Sequence, residues 1–217
     1  MKTSKKIIMI ITGLAILIAG IICKQEFFLM IPLFVSLFVM AFQSDANRTG
    51  LLIGAINSVI YTAAYLYMGV YASAASSFLF SFPMQLGSFF RWKKKSYKKT
   101  VIFKKMTNKQ LVLFLTAVAV GWAVLAGVLI HFKYEYAILD SITFLFGIIV
   151  PVLTMFAFIE YTYLWIVQSV IGLMLNIQMV VNDYKQTTYL IYGIYALYCV
   201  VCAFINVRKF HKEQQSL

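Results

Sequence analysis

Polar side chains recur at helical spacing inside long apolar stretches of this sequence. One stretch carries Trp165, Gln168, Ser169 and Asn176 at i, i+3, i+4 and i+11, positions that share one face of an α-helix. Amides and hydroxyls form hydrogen bonds, and aromatic rings stack on planar groups. This combination predicts binding of a neutral, planar, polyhydroxylated small molecule rather than the making or breaking of bonds.

Three further apolar stretches carry a polar and aromatic face of the same kind. The residues of each set recur every three or four positions, so each set occupies one side of its predicted helix. The sets are Asn57, Tyr61 and Tyr65; Ser77, Ser81, Gln85 and Ser88; and Thr188, Tyr192 and Tyr195. We therefore predict a substrate-binding site formed by Asn57, Tyr61, Tyr65, Gln85, Trp165, Gln168, Ser169, Asn176 and Tyr192.

The same side chains also have a purely structural interpretation. Serine and amide groups inside a membrane join helices by hydrogen bonds, and small residues permit close packing. Tryptophan near a helix end is typical of the membrane interface, and we interpret Trp92 in this way. Gln85 and Gln168 favour a binding site, because each would bury a full amide group in the middle of a span.

The sequence offers little for catalysis or metal binding. It contains no phosphate-binding loop of the Gly-Lys-Ser/Thr type and no pair of carboxylates facing each other within one apolar stretch. The three cysteines, Cys23, Cys199 and Cys202, have no metal-ligand spacing with a histidine. We therefore expect no enzymatic activity, no metal and no cofactor.

The composition places the chain in a membrane. Of its 217 residues, 62% are apolar and 12% are charged, and its mean hydropathy is +0.86. Soluble domains average about 45–50% apolar and about 25% charged residues. The net charge of +12 comes from basic residues that flank the apolar stretches, so it indicates contact with anionic lipid rather than with nucleic acid.

Eight apolar stretches approach the roughly 20 residues that a helix needs to cross a bilayer. They are uniformly apolar, whereas strands of a membrane barrel alternate between apolar and polar residues. The fold class is therefore an all-α integral membrane protein with about eight transmembrane helices. The stretches are residues 7–23, 27–42, 50–69, 71–90, 111–131, 140–158, 161–181 and 187–207. The first could either span the membrane or lie on its surface.

Two parts of the sequence resemble each other. Asn57-Ser58-Val59-Ile60 has a counterpart in Gln168-Ser169-Val170-Ile171 at an offset of 111 residues, and both lie in similar helix patterns. Two three-helix units joined by one linker helix keep the same orientation, which gives a 3+1+3 parallel repeat of the SWEET type with its site between the halves. In this single transmembrane domain (1–217), the parts are an extra N-terminal helix (7–23), a first repeat (27–92), a basic cytoplasmic loop (93–110), a linker helix (111–131) and a second repeat (140–207).

The sequence resembles the PnuC family of vitamin-precursor transporters. The segments that carry the resemblance are Gly54–Tyr61, Gly69-Val70-Tyr71, Gln85–Trp92, Asp140-Ser141 opening a helix, Glu160 before Trp165, and Arg208-Lys209. The resemblance implies a SWEET-like homotrimer in the cell membrane. It further implies facilitated diffusion of nicotinamide riboside, which a cytoplasmic kinase then traps. Family members also carry thiamine, riboflavin and deoxynucleosides.

Departures from the family pattern, among them a glycine displaced to Gly87, concern the substrate more than the fold. A tryptophan is expected where Thr162 stands and an asparagine where Ser169 stands, and Gln168 could replace the latter amide. A function of another class is the substrate-binding membrane subunit of an ATP-driven vitamin importer. Such a subunit would have about six helices and no internal repeat, so helix number and symmetry distinguish the two.

Basic residues indicate the orientation of the chain. With the N-terminus inside and eight crossings, only Lys24, Lys133 and Lys185 of the 19 lysines and arginines fall outside. Cytoplasmic segments attract such an excess of basic residues, so we expect both termini in the cytoplasm. The 16 cytoplasmic residues are Lys2, Lys5, Lys6, Arg48, Arg91, Lys93, Lys94, Lys95, Lys98, Lys99, Lys104, Lys105, Lys109, Arg208, Lys209 and Lys212.

This orientation predicts the labelling of a cysteine placed at Ser96. A membrane-impermeant thiol reagent added to intact cells should leave Ser96→Cys unmodified, and the same reagent should modify it after the cells are opened. Rapid modification in intact cells would contradict the orientation.

Overall fold

Helices form nearly all of the structure. The computed structural model describes residues 3–67, 74, 77–131, 137–182 and 184–216, without the side chains of residues 129, 137, 139, 140, 143 and 144. The α-helices in these residues are α1 (Thr3–Ile22), α2 (Phe27–Ser44), α3 (Thr49–Tyr67), α4 (Phe82–Lys94), α5 (Asn108–His131), α6 (Ala137–Met155), α7 (Tyr161–Asn182) and α8 (Thr187–Gln215). A π-helical segment (Ser77–Ser81) leads into α4, and a 3-10 turn (Tyr184–Gln186) leads into α8.

Six of these helices are long and apolar enough to cross a membrane: α1, α2, α3, α5, α7 and α8. In α6, the apolar segment Leu145–Met155 is shorter than these six helices. Helix α4 has 13 residues, which follow the π-helical segment. The class of all-α, multi-pass membrane protein is therefore confirmed. The number of eight spans stays a prediction.

Six helices pack in a closed ring. Going round it, α2 contacts α3, α3 contacts α4, α4 contacts α6, α6 contacts α7, α7 contacts α8, and α8 returns to α2. Helix α1 packs against α2 and α8, and α5 packs against α6, so both stand outside the ring. Their outward faces carry exposed apolar side chains such as Ile22 and Leu113, as expected of surfaces in contact with lipid.

One end of the bundle is basic. Helices α2, α4, α6 and α8 end there, whereas α3, α5 and α7 begin there, and we call it the basic end. The loop after α4 contains two short antiparallel strands, β1 (Ser96–Tyr97) and β2 (Thr100–Val101). The sequence interpretation gave this loop no strands, because its strands have only two residues each and no alternating pattern.

Two of the segments that carry the family resemblance lie in or next to parts of the chain that the structure does not describe. Gly69-Val70-Tyr71 lies outside the described residues. Asp140 lies within the first turn of α6, which the structure describes from Ala137, so the predicted start of this helix differs from the observed one by less than one turn.

The buried side chain of Lys5 connects α1 to the six-helix ring through a hydrogen bond and an ion pair. The Lys5 ammonium donates a hydrogen bond to the Ser44 hydroxyl at 2.9 Å and lies 2.5 Å from the Asp45 carboxylate. The Asn206 amide of α8 donates to the Ser44 carbonyl at 2.7 Å. Lys5 is only 8% exposed, so the pair is shielded from water on the lysine side. This network joins the start of α1, the end of α2 and the last third of α8.

The Lys5 network predicts a stability difference between two adjacent lysines. Lys5→Ala removes a partner from a partly buried carboxylate and should lower the free energy of unfolding by about 1–3 kcal/mol. Lys6 is exposed, so Lys6→Ala is the matched control and should change it by less than about 0.5 kcal/mol. Thermal unfolding of both variants in one detergent measures the difference. Equal melting temperatures would contradict the role of Lys5.

Candidate functional site

A cavity of about 660 Å³ occupies the centre of the six-helix ring. Small-molecule sites have volumes of about 300–1,000 Å³. The cavity extends from Asn47 and Trp92 at the basic end towards Tyr65 and Tyr192. All six ring helices contribute to its wall, and most of them place polar side chains there.

The first wall is a hydrogen-bonded contact between α2 and α3. The Asn57 amide nitrogen donates to the Pro32 carbonyl at 3.2 Å and to the Ser36 hydroxyl at 2.7 Å. The Tyr61 hydroxyl lies 3.3 Å from the Ser36 hydroxyl, and the ring of Tyr61 stacks on that of Tyr65 with centroids 5.7 Å apart. The Asn57 carbonyl oxygen is buried without a protein partner.

The second wall joins α3 to α4. The Gln85 amide nitrogen donates to the Ser58 hydroxyl at 3.1 Å, and that hydroxyl donates to the Gly54 carbonyl at 3.0 Å. The Ser77 hydroxyl donates to the Ser58 carbonyl at 2.9 Å. The Gln85 carbonyl oxygen has no protein partner and rests against Gly54, where a Cβ atom would come within 1.8 Å of it. A side chain at position 54 would therefore require the end of the Gln85 side chain to move.

The second half of the ring contributes aromatic rings and one amide. Trp165 and Gln168 reach the cavity from α7, and Tyr192 reaches it from α8. Tyr161, at the start of α7, packs on Trp165 with ring centroids 6.1 Å apart and also lines the cavity. Aromatic and amide groups thus lie on both sides of one cavity.

Seven of the nine residues predicted from the sequence line this cavity, and two do not. The seven are Asn57, Tyr61, Tyr65, Gln85, Trp165, Gln168 and Tyr192. Ser169 and Asn176 are absent from its wall. The Asn176 amide instead donates to the Tyr189 carbonyl at 3.2 Å, where α7 packs on α8. The helical face is therefore divided, because Trp165 and Gln168 border the cavity, whereas Asn176, farther from the basic end, packs against α8. A role in binding stays a prediction for all nine.

Thr162, one of the departures from the family pattern, lies outside the cavity wall. Thr162 is fully buried, and its hydroxyl donates to the Ile159 carbonyl at 2.8 Å in the first turn of α7. Thr162 is not part of the cavity wall, which Trp165 reaches three residues later. The aromatic side chain of α7 in this cavity is therefore Trp165, with Tyr161 beside it.

The structure adds lining residues that the sequence interpretation missed. Among them are Ser36, Gln43, Asn47, Trp92 and Tyr161. The interpretation of Trp92 as a membrane-interface residue is wrong, because the side chain is 2% exposed and its indole nitrogen donates to the Thr154 carbonyl at 2.8 Å. Gln43 lies in the last turn of α2 and Asn47 in the connection to α3, where polar residues are ordinary, so their types alone gave no signal.

The described lining residues carry no formal charge. Serines, tyrosines, amides and indoles provide the polar groups, and the remainder are apolar or glycine. Among the described residues there is also no group of three or more His, Cys, Asp or Glu side chains able to hold a metal ion. Such a wall can stack on and hydrogen-bond a small organic molecule.

Comparison with known proteins assigns the chain to a family. The family model described as nicotinamide mononucleotide transporter matches residues 26–208. No curated protein matches the chain. The crystal structure of the vitamin B3 transporter PnuC matches with a TM-score of 0.80 and 19% identity, over 99% of this chain and 94% of that chain. At this identity the structural match establishes the fold. The chain therefore belongs to the nicotinamide mononucleotide transporter family, as its resemblance to PnuC indicated, and is a multi-pass membrane protein with the PnuC fold.

Proposed function

We propose that this protein takes up a nucleoside-like vitamin precursor, with nicotinamide riboside as the substrate best suited to the cavity. The observation that carries the proposal is an uncharged cavity of about 660 Å³ lined by amides and aromatic rings on both sides. Related substrates of the same fold are thiamine, riboflavin and a deoxynucleoside, and they remain the alternatives within this class.

Charge separates the nucleoside from the nucleotide in the family's name. A phosphate ester carries about −1.5 to −2 charges near neutral pH, and sites that bind it use arginine, lysine or clustered backbone N–H groups. The described lining contains no arginine or lysine. A buried phosphate would lose its hydration without compensation, which is costly. Aromatic faces attract cations, so the single positive charge of the pyridinium ring is compatible with Trp165 and the tyrosines.

The free hydrogen-bonding groups favour a ligand that donates. The Asn57 and Gln85 amide nitrogens are already bonded within the protein, whereas their carbonyl oxygens have no partner. An unpaired buried carbonyl costs about 1–3 kcal/mol, which a ligand N–H or O–H would recover. Nicotinamide riboside offers a carboxamide N–H₂ group and three hydroxyls. These donors suit the two oxygens, and its planar ring suits Trp165.

We propose transport by facilitated diffusion, with retention in the cell by phosphorylation. The uncharged lining supports this mechanism, because ion-coupled carriers use ionisable or oxygen-rich ion sites inside the membrane. The ring order supports the 3+1+3 parallel repeat. The contact between α4 and α6 mirrors that between α8 and α2, as a two-fold relation between α2–α4 and α6–α8 requires. The cytoplasmic orientation of the basic end and the homotrimer complete the proposal.

The rival function, a binding subunit of an ATP-driven importer, receives less support. Such a subunit is expected to have about six helices without a repeat; six described helices are long and apolar enough to span a membrane, so the arrangement of the helices is the distinguishing observation. The six ring helices enclose the cavity in an order compatible with two related halves. Co-purification of the protein with an ATPase would favour the rival.

A binding panel tests the proposed substrate class. Purified protein in detergent is titrated with nicotinamide riboside, nicotinamide mononucleotide, thiamine, riboflavin and a deoxynucleoside, and heat is measured by calorimetry. We expect nicotinamide riboside to bind and the mononucleotide to bind at least tenfold more weakly, a difference of 1.4 kcal/mol. Preferential binding of the mononucleotide would overturn the proposal.

Two substitutions test the site itself. Trp165→Ala removes a stacking ring and Gln168→Ala removes an amide, and each should weaken binding of nicotinamide riboside about tenfold or more, since a lost buried partner costs about 1–3 kcal/mol. Trp122 on α5 and Gln178, exposed on α7, provide matched alanine controls outside the cavity wall. Calorimetry gives the affinities and size-exclusion chromatography gives the assembly. Normal affinity in both cavity variants, or loss of assembly in both, would show that these residues serve packing instead.

A further inference from the structure

The β1–β2 hairpin and the residues that follow it contact four parts of the fold: the α2–α3 turn, α4, the α6–α7 turn and α8. The Lys99 carbonyl of the hairpin accepts the Arg48 N–H of the α2–α3 turn at 3.2 Å. The Lys104 N–H donates to the Ala157 carbonyl, and the Lys104 carbonyl accepts the Ile159 N–H, both at 2.9 Å. The segment after β2 therefore pairs through its backbone with the α6–α7 turn. This turn lies in the opposite half of the ring from Arg48.

One side chain of α8 binds the hairpin twice. The Gln214 carbonyl oxygen accepts the Phe103 N–H at 2.9 Å, and the Gln214 amide nitrogen donates to the Val101 carbonyl at 2.9 Å. A primary amide so placed imitates a neighbouring β-strand, which offers one acceptor and one donor to alternate residues. An exposed ion pair between Lys98 and Glu213, at 3.2 Å, lies beside this contact.

The hairpin also lies directly beyond the inner end of the cavity. Trp92 lines the cavity, and the Phe103 ring packs edge-on against it with centroids 5.7 Å apart. Phe103 and Val101 are 4% and 1% exposed and share one apolar cluster with Trp92 and Tyr161. The Trp92–Phe103 contact therefore lies between the cavity and the hairpin at the basic end.

We infer that residues 95–106 form a strap that closes the inner exit of the cavity, and that Gln214 is its latch. The inference rests on the proposed transport function for its direction of passage. Strands of two residues have little stability of their own, so the position of the strap depends on the bonds to its neighbours. Passage inward requires the strap to separate from α8 or from the α6–α7 turn. Gln214 makes two of the bonds that resist this separation.

The first experiment measures access to the cavity without any substrate. The reporter is Ser88→Cys, which places a thiol in the cavity wall one turn before Trp92, in a background with Cys23, Cys199 and Cys202 changed to Ala. An impermeant maleimide is added from the basic end to membranes of known orientation. Gln214→Ala should raise the modification rate about three- to tenfold. Gln215→Ala, whose exposed side chain is hydrogen-bonded to His211 rather than to the hairpin, should leave the rate unchanged.

The second experiment prevents the movement. Lys98→Cys and Glu213→Cys, in the same background, are joined by a cleavable bis-maleimide that contains a disulfide. Joined protein should lose transport and modification of Ser88→Cys, and reductant should restore transport. Unchanged transport after complete joining would show that the strap does not move, and equal Ser88→Cys rates with and without Gln214 would show that Gln214 is no latch.

The two readouts separate this inference from the proposed function. If the protein binds none of the ligands in the panel, the modification rates still report whether the strap opens. If Gln214→Ala fails to assemble, the joined cysteine pair tests the strap in the presence of Gln214. In that case loss of Ser88→Cys modification on joining supports the strap, and unchanged modification overturns it.

Discussion

A polar group inside a bilayer must find a partner within the protein, and this constraint organises the structure. The Asn57 amide shows how it acts, since its nitrogen binds the Pro32 carbonyl and the Ser36 hydroxyl across the α2–α3 contact. Lipid offers neither donors nor acceptors, so such groups turn inward and the apolar faces turn outward. The ring of six helices thus encloses a cavity whose wall combines these polar groups with apolar side chains.

The same constraint explains why the cavity is suited to some molecules and not to others. Its wall satisfies the amide nitrogens of Asn57 and Gln85 but leaves their carbonyl oxygens without partners. These oxygens favour a ligand with N–H and O–H groups, and the aromatic rings favour a flat one. The described lining residues are uncharged, and two ion pairs lie at the basic end, where Lys5 binds Asp45 and Lys98 binds Glu213. Separation of charge from the cavity is what a carrier of a nucleoside without phosphate requires.

The spacing of polar residues in the sequence identified the site residues that share one face of a single helix. Asn57, Tyr61 and Tyr65 recur every four residues, so their shared face was readable from sequence and all three line the cavity. Asn176 follows the same rule on α7 but lies too far along the helix, where it packs against α8. Sequence spacing gives the side of a helix, whereas the depth at which that side meets a cavity depends on the neighbouring helices.

Contacts between distant segments were beyond the reach of the sequence pattern. Trp92 has the position of an interface residue, yet Phe103 and Thr154 hold it in the interior. The hairpin is similar, because its two-residue strands exist through bonds to Arg48, Ala157 and Gln214 rather than through any local preference. These features arise from tertiary packing. They are also the features that separate the cavity from the basic end.

Uptake into liposomes tests the central claim most directly, namely that an uncharged cavity carries a nucleoside downhill. Purified protein is reconstituted, the membrane potential is held at zero because the pyridinium ring is charged, and entry of labelled nicotinamide riboside is followed. The account predicts that the internal concentration rises to the external concentration and stops, and that proton or sodium gradients leave this plateau unchanged. Accumulation above the external concentration when either gradient is imposed would contradict it.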